Sequence, residues 1–373
     1  MEPAQPISDP GKSETGVASM SSGASDQRQP VHAKAKLWYV GLVLALLLLG
    51  GGAFLAYRWL GAAKTHDRPA YSGPVQKIAV ANIGEYSILN LIAKQKGYFV
   101  QNGLNAEITE YASGPPAMAD LLAGKVDVAV AADFVGVVNI FSHPELRILS
   151  QLGSQDNFRI IARKDKGITS AEGLKGKTIG VTKKSAGEFF LGRFLSLHNL
   201  GLGDITEVDL APAAMVTQLT NSQLDAVVTF EPHAYKLQNT LGDAIISWSA
   251  QGDERALAVS YTTDALVKDR PETIRRYLAS LRDAQNFLRQ NDAGARQILA
   301  TAQNYDPAYV DYIWPKFDFR LSLSQELLLT MEDQARFVMA NKLTAAAKVP
   351  NYLDYIYFKG LQAVQPEAIT IIH

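Results

Sequence analysis

Two turns of the sequence place a serine and small residues directly before a predicted helix, an arrangement that can hold an anion. They are Ser113-Gly114, which precedes Pro115-Pro116, and Ser185-Ala186-Gly187 in the segment KSAGE. The free N–H groups at a helix N-terminus and the helix dipole both favour an anionic oxygen. Two opposed turns of this kind predict a site for nitrate, a sulfonate or a carboxylate. Alternatively, Ser113 and Ser185 are ordinary helix caps.

Three acidic residues stand at predicted strand ends beside these turns: Glu85, Asp133 and Glu231. Desolvated carboxylates would repel a simple anion, although exposure to solvent would weaken that repulsion greatly. A zwitterion or a cation therefore fits better than nitrate. A taurine-like molecule would place its sulfonate at the helix termini and its amine on Glu85 or Glu231. The alternative is that these acids are cap or surface residues.

Aromatic residues accompany the acids and complete the predicted binding set. Tyr86, Phe134 and Phe230 follow or end predicted strands, and Gly84 shares the first strand-end turn with Glu85. An aromatic ring can stack on a flat or alkyl part of a ligand, or contact a cation through its face. Packing in the hydrophobic core is the commoner role of such rings and remains the alternative.

The residue types that other site chemistries require are absent or badly spaced. LKGKT resembles part of a phosphate-binding loop, but Ala171 stands where that loop requires glycine. The six histidines include no pair at metal-ligand spacing, and there is neither a cysteine nor a GxSxG motif. The balance of 36 Lys plus Arg against 37 Asp plus Glu gives no field for nucleic acid. We therefore predict no catalytic residue, metal, cofactor or nucleic-acid partner.

The elements that position these residues occur twice along the chain. Residues 77–133 and 177–231 each read as strand, turn, helix, strand, helix and strand. Equivalent positions include Gly84-Glu85 with Gly187-Glu188, Asp127 with Asp225, and Asp133 with Glu231. Two copies of one β-α-β-α-β unit are the simplest interpretation. The alternative is that two unrelated α/β units share the same periodicity.

This alternation predicts an α/β protein with a mainly parallel sheet in each unit, flanked by helices. Ligands of such folds bind at the carboxyl ends of the strands. FRIIAR, within 146–166, and ALAVSYTT at 256–263 predict further strands. The remaining tail is predicted to be all helical and to pack back on the first unit. Its predicted helices are 271–289, 307–312, 323–340 and 352–362.

An uncharged apolar run at 37–57 is long enough, at roughly 30 Å, to cross a bilayer as a helix. A cleavable signal peptide processed near 51–53 is the alternative. Basic residues flank the run equally, so charge does not give its orientation. The predicted organisation is a disordered arm (1–36), a transmembrane helix (37–59), a linker (60–74), lobe 1 (75–160), lobe 2 (161–253) and a return to lobe 1 (254–373).

Several motifs, taken in order, resemble one protein family. They are KIAVAN, KGYFVQNGL at 96–104, TSAEGLKGKTIGV at 169–181 and FEP at 230–232. The chain from residue 75 onward is similar to the substrate-binding proteins of nitrate, sulfonate and taurine importers, NMT1/THI5-like type II periplasmic binding proteins. The resemblance implies a monomer of two α/β lobes that close on a small solute. Its implied partners are an ABC permease and its ATPase.

Members of that family are usually released into the periplasm or held by a lipid on a cysteine. Because this chain has no cysteine, we expect the single-pass helix to anchor it in the inner membrane, with the binding domain facing the periplasm or the outside. One alternative is an enzyme of pyrimidine-precursor synthesis on the same fold, whose resemblance depends on a cysteine-rich motif. Another is an anchored ligand sensor. We predict a binding protein and not an enzyme.

Overall fold

The computed structural model describes residues 71–372, whose strands form two separate β-sheets. The strands are β1 (Gln76–Asn82), β2 (Leu104–Glu110), β3 (Val128–Ala132), β4 (Leu146–Gln155), β5 (Phe158–Arg163), β6 (Thr178–Val181), β7 (Thr206–Asp209), β8 (Ala226–Phe230), β9 (Ile245–Ser249), β10 (Ala256–Thr263) and β11 (Phe317–Ser322). The strand order is β11-β4-β10-β3-β1-β2 in the six-stranded sheet and β7-β6-β8-β5-β9 in the five-stranded sheet. We call the former sheet with its helices lobe 1 and the latter lobe 2.

Helices cover both sheets. They are α1 (Ile88–Gln95), α2 (Tyr98–Gln101), α3 (Gly114–Leu122), α4 (Asp133–Ile140), α5 (Ala186–Leu197), α6 (Pro212–Thr220), α7 (His233–Leu241), α8 (Asp264–Asp269), α9 (Pro271–Gln290), α10 (Asp292–Gln303), α11 (Pro307–Ile313), α12 (Gln325–Ala340) and α13 (Phe358–Gln362). Between residues 71 and 372, no helix is both long and apolar enough to cross a membrane. The predicted arm and transmembrane helix (37–59) lie outside the described residues.

Both sheets are mixed, which corrects the prediction of mainly parallel sheets. β1 is parallel to β2 and β3, and β6 is parallel to β7 and β8. β10 runs antiparallel to β3 and β4, β11 to β4, and β5 to β8 and β9. Helical crossovers produce the parallel pairs. The strands that carry the chain from one lobe to the other enter each sheet from the opposite end, so they pair antiparallel.

The two repeated units share a hydrogen bond that the sequence alignment of their aspartates anticipates. Asp127 Oδ2 accepts a hydrogen bond from the Ala79 backbone N–H at 2.9 Å. Asp225 Oδ2 accepts the same bond from the Thr178 N–H at 2.8 Å. In each lobe an aspartate just before the third strand thus holds the beginning of the first strand. The repeat is therefore present in three dimensions as well as in sequence.

The chain crosses between the lobes twice, from β4 to β5 and from β9 to β10, and one side chain ties the crossings together. Gln251 Oε1 accepts hydrogen bonds from the N–H groups of Asn157 and Phe158 at 2.8 and 2.9 Å. Its Nε2 donates to the carbonyls of Gln155 and Glu254 at 2.9 and 3.0 Å. Gln251 is buried. The three bonds to Gln155, Asn157 and Phe158 are buried and link the two crossings directly, and the bond to Glu254 is partly buried.

The C-terminal tail follows the predicted helices only in part. In α9, Ile274, Leu278 and Leu281 are buried at helical spacing. The prediction of an all-helical tail is wrong at Phe317–Ser322, which forms β11 and pairs with β4. FDFRLS alternates apolar and polar residues with the period of a strand, but the run is short and stands between two helices. The helix α10 was also not predicted.

Candidate functional site

A small cavity lies between the lobes at the N-termini of α3 and α5. It has a volume of about 20 Å³, enough for roughly one water molecule. None of its lining residues carries a charged side chain. The lining consists of Ile83, Tyr86, Ser113, Gly114, Ala132, Val135, Phe158, Ser185, Ala186 and Phe230. Six predicted binding residues are therefore brought together here. Three precede β6 in the chain and three follow it: Tyr86, Ser113, Gly114, Ser185, Ala186 and Phe230.

The two helix starts differ in what they offer an anion. Ser185 caps α5, because its Oγ accepts from the Gly187 N–H at 3.2 Å and donates to the Thr182 carbonyl at 2.6 Å. Ser113 makes no such bond to α3. Its hydroxyl is therefore not used to cap the helix that it precedes. The cap alternative accordingly describes Ser185 but not Ser113.

Proline reduces the number of donors at α3. Its second and third residues are Pro115 and Pro116, and proline has no backbone N–H. The first residue of each helix, Gly114 in α3 and Ala186 in α5, lies in the cavity lining. An N–H at this position has no acceptor within its own helix. The donors available to a bound anion are thus these two N–H groups and the Ser113 hydroxyl.

A larger cavity of about 290 Å³ adjoins the small one and shares Ile83, Tyr86 and Phe230 with it. Its described lining includes three carboxylates and no lysine or arginine. The lining residues are Ile83, Gly84, Glu85, Tyr86, Glu110, Tyr111, Ala112, Phe230, Glu231, Pro232, His233, Gln303 and Tyr305. The predicted residues Gly84, Glu85 and Glu231 lie here. The two cavities therefore differ in charge.

Glu85 is held by the 3-10 turn Gly84–Ser87, which follows β1. Gly84 adopts a φ of 38° there, in the left-handed region that glycine tolerates best. The Glu85 carboxylate is only 3% exposed and accepts a hydrogen bond from the Tyr309 hydroxyl at 2.8 Å. Burial raises the pKa of Glu85 to about 7, because desolvation disfavours the charged form.

Glu231 has a different environment, because its carboxylate is already compensated. Its Oε1 accepts hydrogen bonds from the Tyr312 hydroxyl at 2.9 Å and from Lys316 Nζ at 3.1 Å. Its Oε2 accepts from the Tyr235 backbone N–H at 2.7 Å. Glu231 follows β8 in lobe 2, whereas Lys316 directly precedes β11 in lobe 1. The ion pair therefore joins the lobes.

Three other predicted residues line neither cavity. Asp133 is fully buried at the start of α4, its Oδ1 accepts from the Phe134 N–H at 2.9 Å, and burial raises its pKa to about 7. The Phe134 ring packs in the core, 5.5 Å from Phe189 and 6.1 Å from Phe337. Gly187 is the second residue of α5, directly after the cavity-lining Ala186, and its N–H donates to the Oγ of the cap residue Ser185. All three lie behind the cavity walls.

Several lining residues were missed by the sequence reasoning. Glu110 ends β2, Tyr111 follows it, and His233 follows the FEP motif, so proximity to a strand end is the signal that would have found them. Burial lowers the pKa of His233, which favours the neutral ring. Tyr305 belongs to the C-terminal tail. No local pattern links that residue to the cleft.

Two buried amides lie at the β4–β5 crossing beside Tyr86. The side-chain nitrogen and oxygen atoms of Gln155 and Asn157 have no hydrogen-bond partner of good geometry among the described residues. Both amides nevertheless act on the Tyr86 hydroxyl, whose pKa is raised mainly by burial. A buried polar group without a partner is destabilising. Neither residue lines the small or the larger cavity, so the two amides are internal polar groups beside Tyr86.

Another depression, of about 800 Å³, lies away from the cleft. It is lined by the beginnings of β1 and β2 and by the Arg270–Asp127 ion pair. Ligands of open α/β sheets bind at the carboxyl ends of the strands. The small cavity and the larger cavity that adjoins it, which we call the two inter-lobe cavities, are therefore the better candidate site.

Comparison with known proteins agrees with this architecture. A protein of Bacillus subtilis (strain 168) named for binding aliphatic sulfonates is 25% identical over 299 residues, covering 77% of this chain and 90% of that protein. The alkanesulfonate-binding protein SsuA from Xanthomonas axonopodis pv. citri, solved bound to MOPS, superposes with a TM-score of 0.63 and 18% identity over 80% of this chain and 99% of its own. The desulfurization enzyme DSZB superposes with a TM-score of 0.58 and 15% identity, over 78% and 99%.

These two structures establish that the described residues adopt the two-lobed α/β fold of periplasmic binding proteins. Because one of the two structures is a binding protein and the other an enzyme, the fold alone does not assign an activity. A family model described as NMT1/THI5 like matches residues 85–295. This chain therefore belongs to the NMT1/THI5-like family, as its sequence motifs indicate.

Proposed function

We propose that this protein is the extracytoplasmic solute-binding component of an ABC importer and that it binds a small sulfonate or related organic anion between its lobes. The observation that carries the proposal is the small cavity, where helix N-termini from both lobes meet and no side chain is charged. A helix N-terminus favours an anion. The relatives named for binding sulfonates support this class of ligand.

A sulfonate has three oxygens and is larger than the cavity of about 20 Å³, so it would enter as the lobes move slightly apart, between donors from both lobes. The Gly114 N–H and the Ser113 hydroxyl belong to lobe 1, and the Ala186 N–H belongs to lobe 2. An anion held by both sets favours the closed arrangement of the lobes, because each set alone binds it less tightly. The rings of Phe158 and Phe230, 5.5 Å apart, form an apolar wall for the carbon chain.

The proposed location and partners follow the domain organisation expected from the sequence. A transmembrane helix at 37–59 holds the protein in the inner membrane, and the linker 60–74 lifts the binding domain from the surface on the periplasmic or outer side. The expected bounds are 75–160 and 254–373 for lobe 1 and 161–253 for lobe 2, whereas β5 of the five-stranded sheet begins three residues earlier, at Phe158. The monomer delivers its solute to a permease that is driven by an ATPase.

An enzyme on this fold is the competing function, since DSZB shares the fold. A solved structure of DSZB is of a cysteine-to-serine mutant in complex with biphenyl-2-sulfinic acid. The present chain contains no cysteine, so thiol chemistry is not available to it. This difference supports binding without reaction.

The test is thermal unfolding of the purified full-length protein in detergent with a panel of sulfonates, carboxylates and nitrate. At 100 times its dissociation constant, a ligand of the native state adds about 2.7 kcal/mol of stability. Ser113→Ala is expected to weaken sulfonate binding by about tenfold or more, since hydrogen bonds to charged groups are strong. Ser185→Ala is the matched control and is expected to lower stability by about 1 kcal/mol through loss of a cap.

Mass spectrometry of each solute after incubation distinguishes binding from reaction. An unchanged solute that stabilises the protein supports the proposal. If no member of the panel shifts the transition, or if a bound sulfonate is converted to a product, the proposed function is wrong.

A further inference from the structure

The two inter-lobe cavities have opposite electrostatic character. The small cavity is lined by helix N-termini without charged side chains, whereas the larger one contains carboxylates and, among its described lining, no lysine or arginine. The cavities share Ile83, Tyr86 and Phe230, so one ligand can extend from one into the other. A ligand that fills both would therefore carry a negative group at one end and a positive group at the other.

Only one of the three carboxylates in the larger cavity is both buried and without a cationic partner. Glu231 is paired with Lys316. Glu110 is exposed and accepts a hydrogen bond from the Asn82 amide at 3.1 Å. Glu85 is buried, and among the described residues no lysine or arginine lies within ion-pair distance of its carboxylate. A buried carboxylate is costly unless it is paired, and a bound cation would supply the partner.

Aromatic rings line the larger cavity, in which such a cation would bind. Tyr86, Tyr111, Tyr305 and Phe230 all line the larger cavity. The Tyr305 ring packs edge-on against Tyr309 at 4.9 Å, and Tyr309 donates its hydroxyl to Glu85. A ring face attracts an ammonium group, more strongly when water is excluded. The walls therefore suit an amine or a methylated ammonium better than an alkyl chain alone.

We infer that the larger cavity is a cation subsite in which Glu85 is the counter-ion for an ammonium group on the same ligand whose anionic group binds in the small cavity. This inference rests on the proposed function and narrows its ligand to an amino-sulfonate or a similar zwitterion. The sequence suggested Glu85 or Glu231 as the partner of the ligand's amine, and we assign that role to Glu85. Glu231 instead serves the ion pair between the lobes.

Ammonium binding at this subsite is coupled to a proton. Burial keeps the pKa of Glu85 at about 7, so part of the empty protein is protonated there at neutral pH, and an ammonium must displace that proton. The hydroxyls of Tyr305 and Tyr309 donate to Glu85, and Glu231 repels its charge. The cavity that Glu85 lines also contains Tyr86, Glu110, Tyr111 and His233. Affinity for an amine is therefore expected to rise between pH 6 and pH 8, with release of a proton.

Isothermal titration of the full-length protein in detergent tests the subsite with near-isosteric pairs. Taurine is compared with propane-1-sulfonate, and 3-aminopropane-1-sulfonate with butane-1-sulfonate. The amine of each pair is expected to bind about tenfold more tightly or better, since a hydrogen bond to a charged group is strong. In Glu85→Gln this preference is expected to disappear, while propane-1-sulfonate binds within about threefold of its wild-type affinity.

Glu107→Gln is the matched control, because it removes an exposed carboxylate of β2 that lines neither cavity, and it is expected to retain the amine preference. Equal affinities for amine and alkyl members in the wild-type protein would overturn the cation subsite and leave the proposed function intact. No binding of any of the four sulfonates would instead count against the proposed function. If Glu85→Gln does not fold, titration of taurine in two buffers of different ionisation enthalpy decides, and absence of proton release at pH 7 overturns the inference.

Discussion

The two sides of the cleft join the lobes by different physical means. On the side that we call the polar flank, the buried Glu231 of lobe 2 binds Lys316 and Tyr312 of lobe 1. The Tyr235 ring of lobe 2 packs 5.2 Å from Tyr309 and 5.0 Å from Tyr312. Charge and hydrogen bonds therefore dominate this contact.

The opposite side, the aromatic flank, has no ion pair in its contact between α5 and α12. Phe337 of α12 packs edge-on against Phe189 of α5 at 5.1 Å. A Cβ atom added to Gly192 would lie 2.5 Å from the Phe337 ring. The close approach of the two helices thus depends on the absence of a side chain at one position. Shape determines this contact.

The difference indicates how each flank responds to change. A buried charge that loses its partner is strongly destabilising, whereas a crowded apolar contact is relieved by small shifts. The polar flank should therefore be sensitive to charge and pH, and the aromatic flank to volume. Three predictions test this contrast, in order of decreasing expected effect.

The largest effect is expected from breaking the ion pair of the polar flank. Lys316→Met is expected to lower the free energy of unfolding by about 3–5 kcal/mol, because it leaves the buried Glu231 carboxylate without its cation. Glu231→Gln is expected to cost less, because the Lys316 that it leaves is only partly buried. The double variant is expected to be more stable than the sum of the two losses predicts. Urea unfolding of all four proteins measures the coupling. Additive losses would mean that the two side chains do not act as a pair.

A smaller effect is expected from pH, through Glu85 beside the polar flank. Its pKa rises from 4.5 to about 7 on folding, so the folded state binds the proton more tightly. Its contribution to stability is therefore present below about pH 4.5, is lost as the pH rises towards 7, and stays level above that. The total loss is about 3 kcal/mol.

Urea unfolding at pH 5 and pH 8 measures this loss as a difference between the wild-type protein and Glu85→Gln. Asp133, whose pKa burial also raises to about 7, changes stability in the same direction in both proteins and cancels. We expect the wild-type protein to lose more stability than the variant between the two pH values. Parallel pH profiles would show that Glu85 does not titrate in this range.

The smallest effect is expected on the aromatic flank. Gly192→Ala is expected to lower stability by about 1–3 kcal/mol, because the added methyl group overlaps the Phe337 ring. The same loss is expected at pH 5 and pH 8, unlike that of Glu85. Adding Phe337→Leu should restore part of it. Thermal unfolding provides the measurement, and a pH-dependent loss would contradict a purely steric contact.

The part of the site that sequence could predict lies at the ends of repeated strands. Gly114 and Ala186 follow turns in equivalent halves of the chain, and the carboxyl ends of parallel strands meet at one edge of a sheet. That rule brings these residues together without knowledge of how distant segments pack. The sheets were predicted less well, because nothing local in β5 or β10 states that these strands return antiparallel.

The other part of the site comes from the tail and required the structure. Tyr305, Tyr309, Tyr312 and Lys316 are separated from Glu85 and Glu231 by long stretches of chain, and no periodicity indicates which face of lobe 1 the tail covers. Sequence assigned Glu85 and Glu231 the same possible role for this reason. Their different partners become visible only when the tail is in place. The transmembrane helix at 37–59 stays a prediction.

Gln251 has a consequence for the motion of the whole molecule. Because this one buried amide binds backbone atoms of both crossings, we expect the two crossings to bend together. Rotation of the lobes about a single axis keeps these four hydrogen bonds, whereas twisting one lobe against the other would break them. We therefore expect opening and closing to follow mainly one coordinate. A single pair of labels, one on each lobe, would follow that entire coordinate.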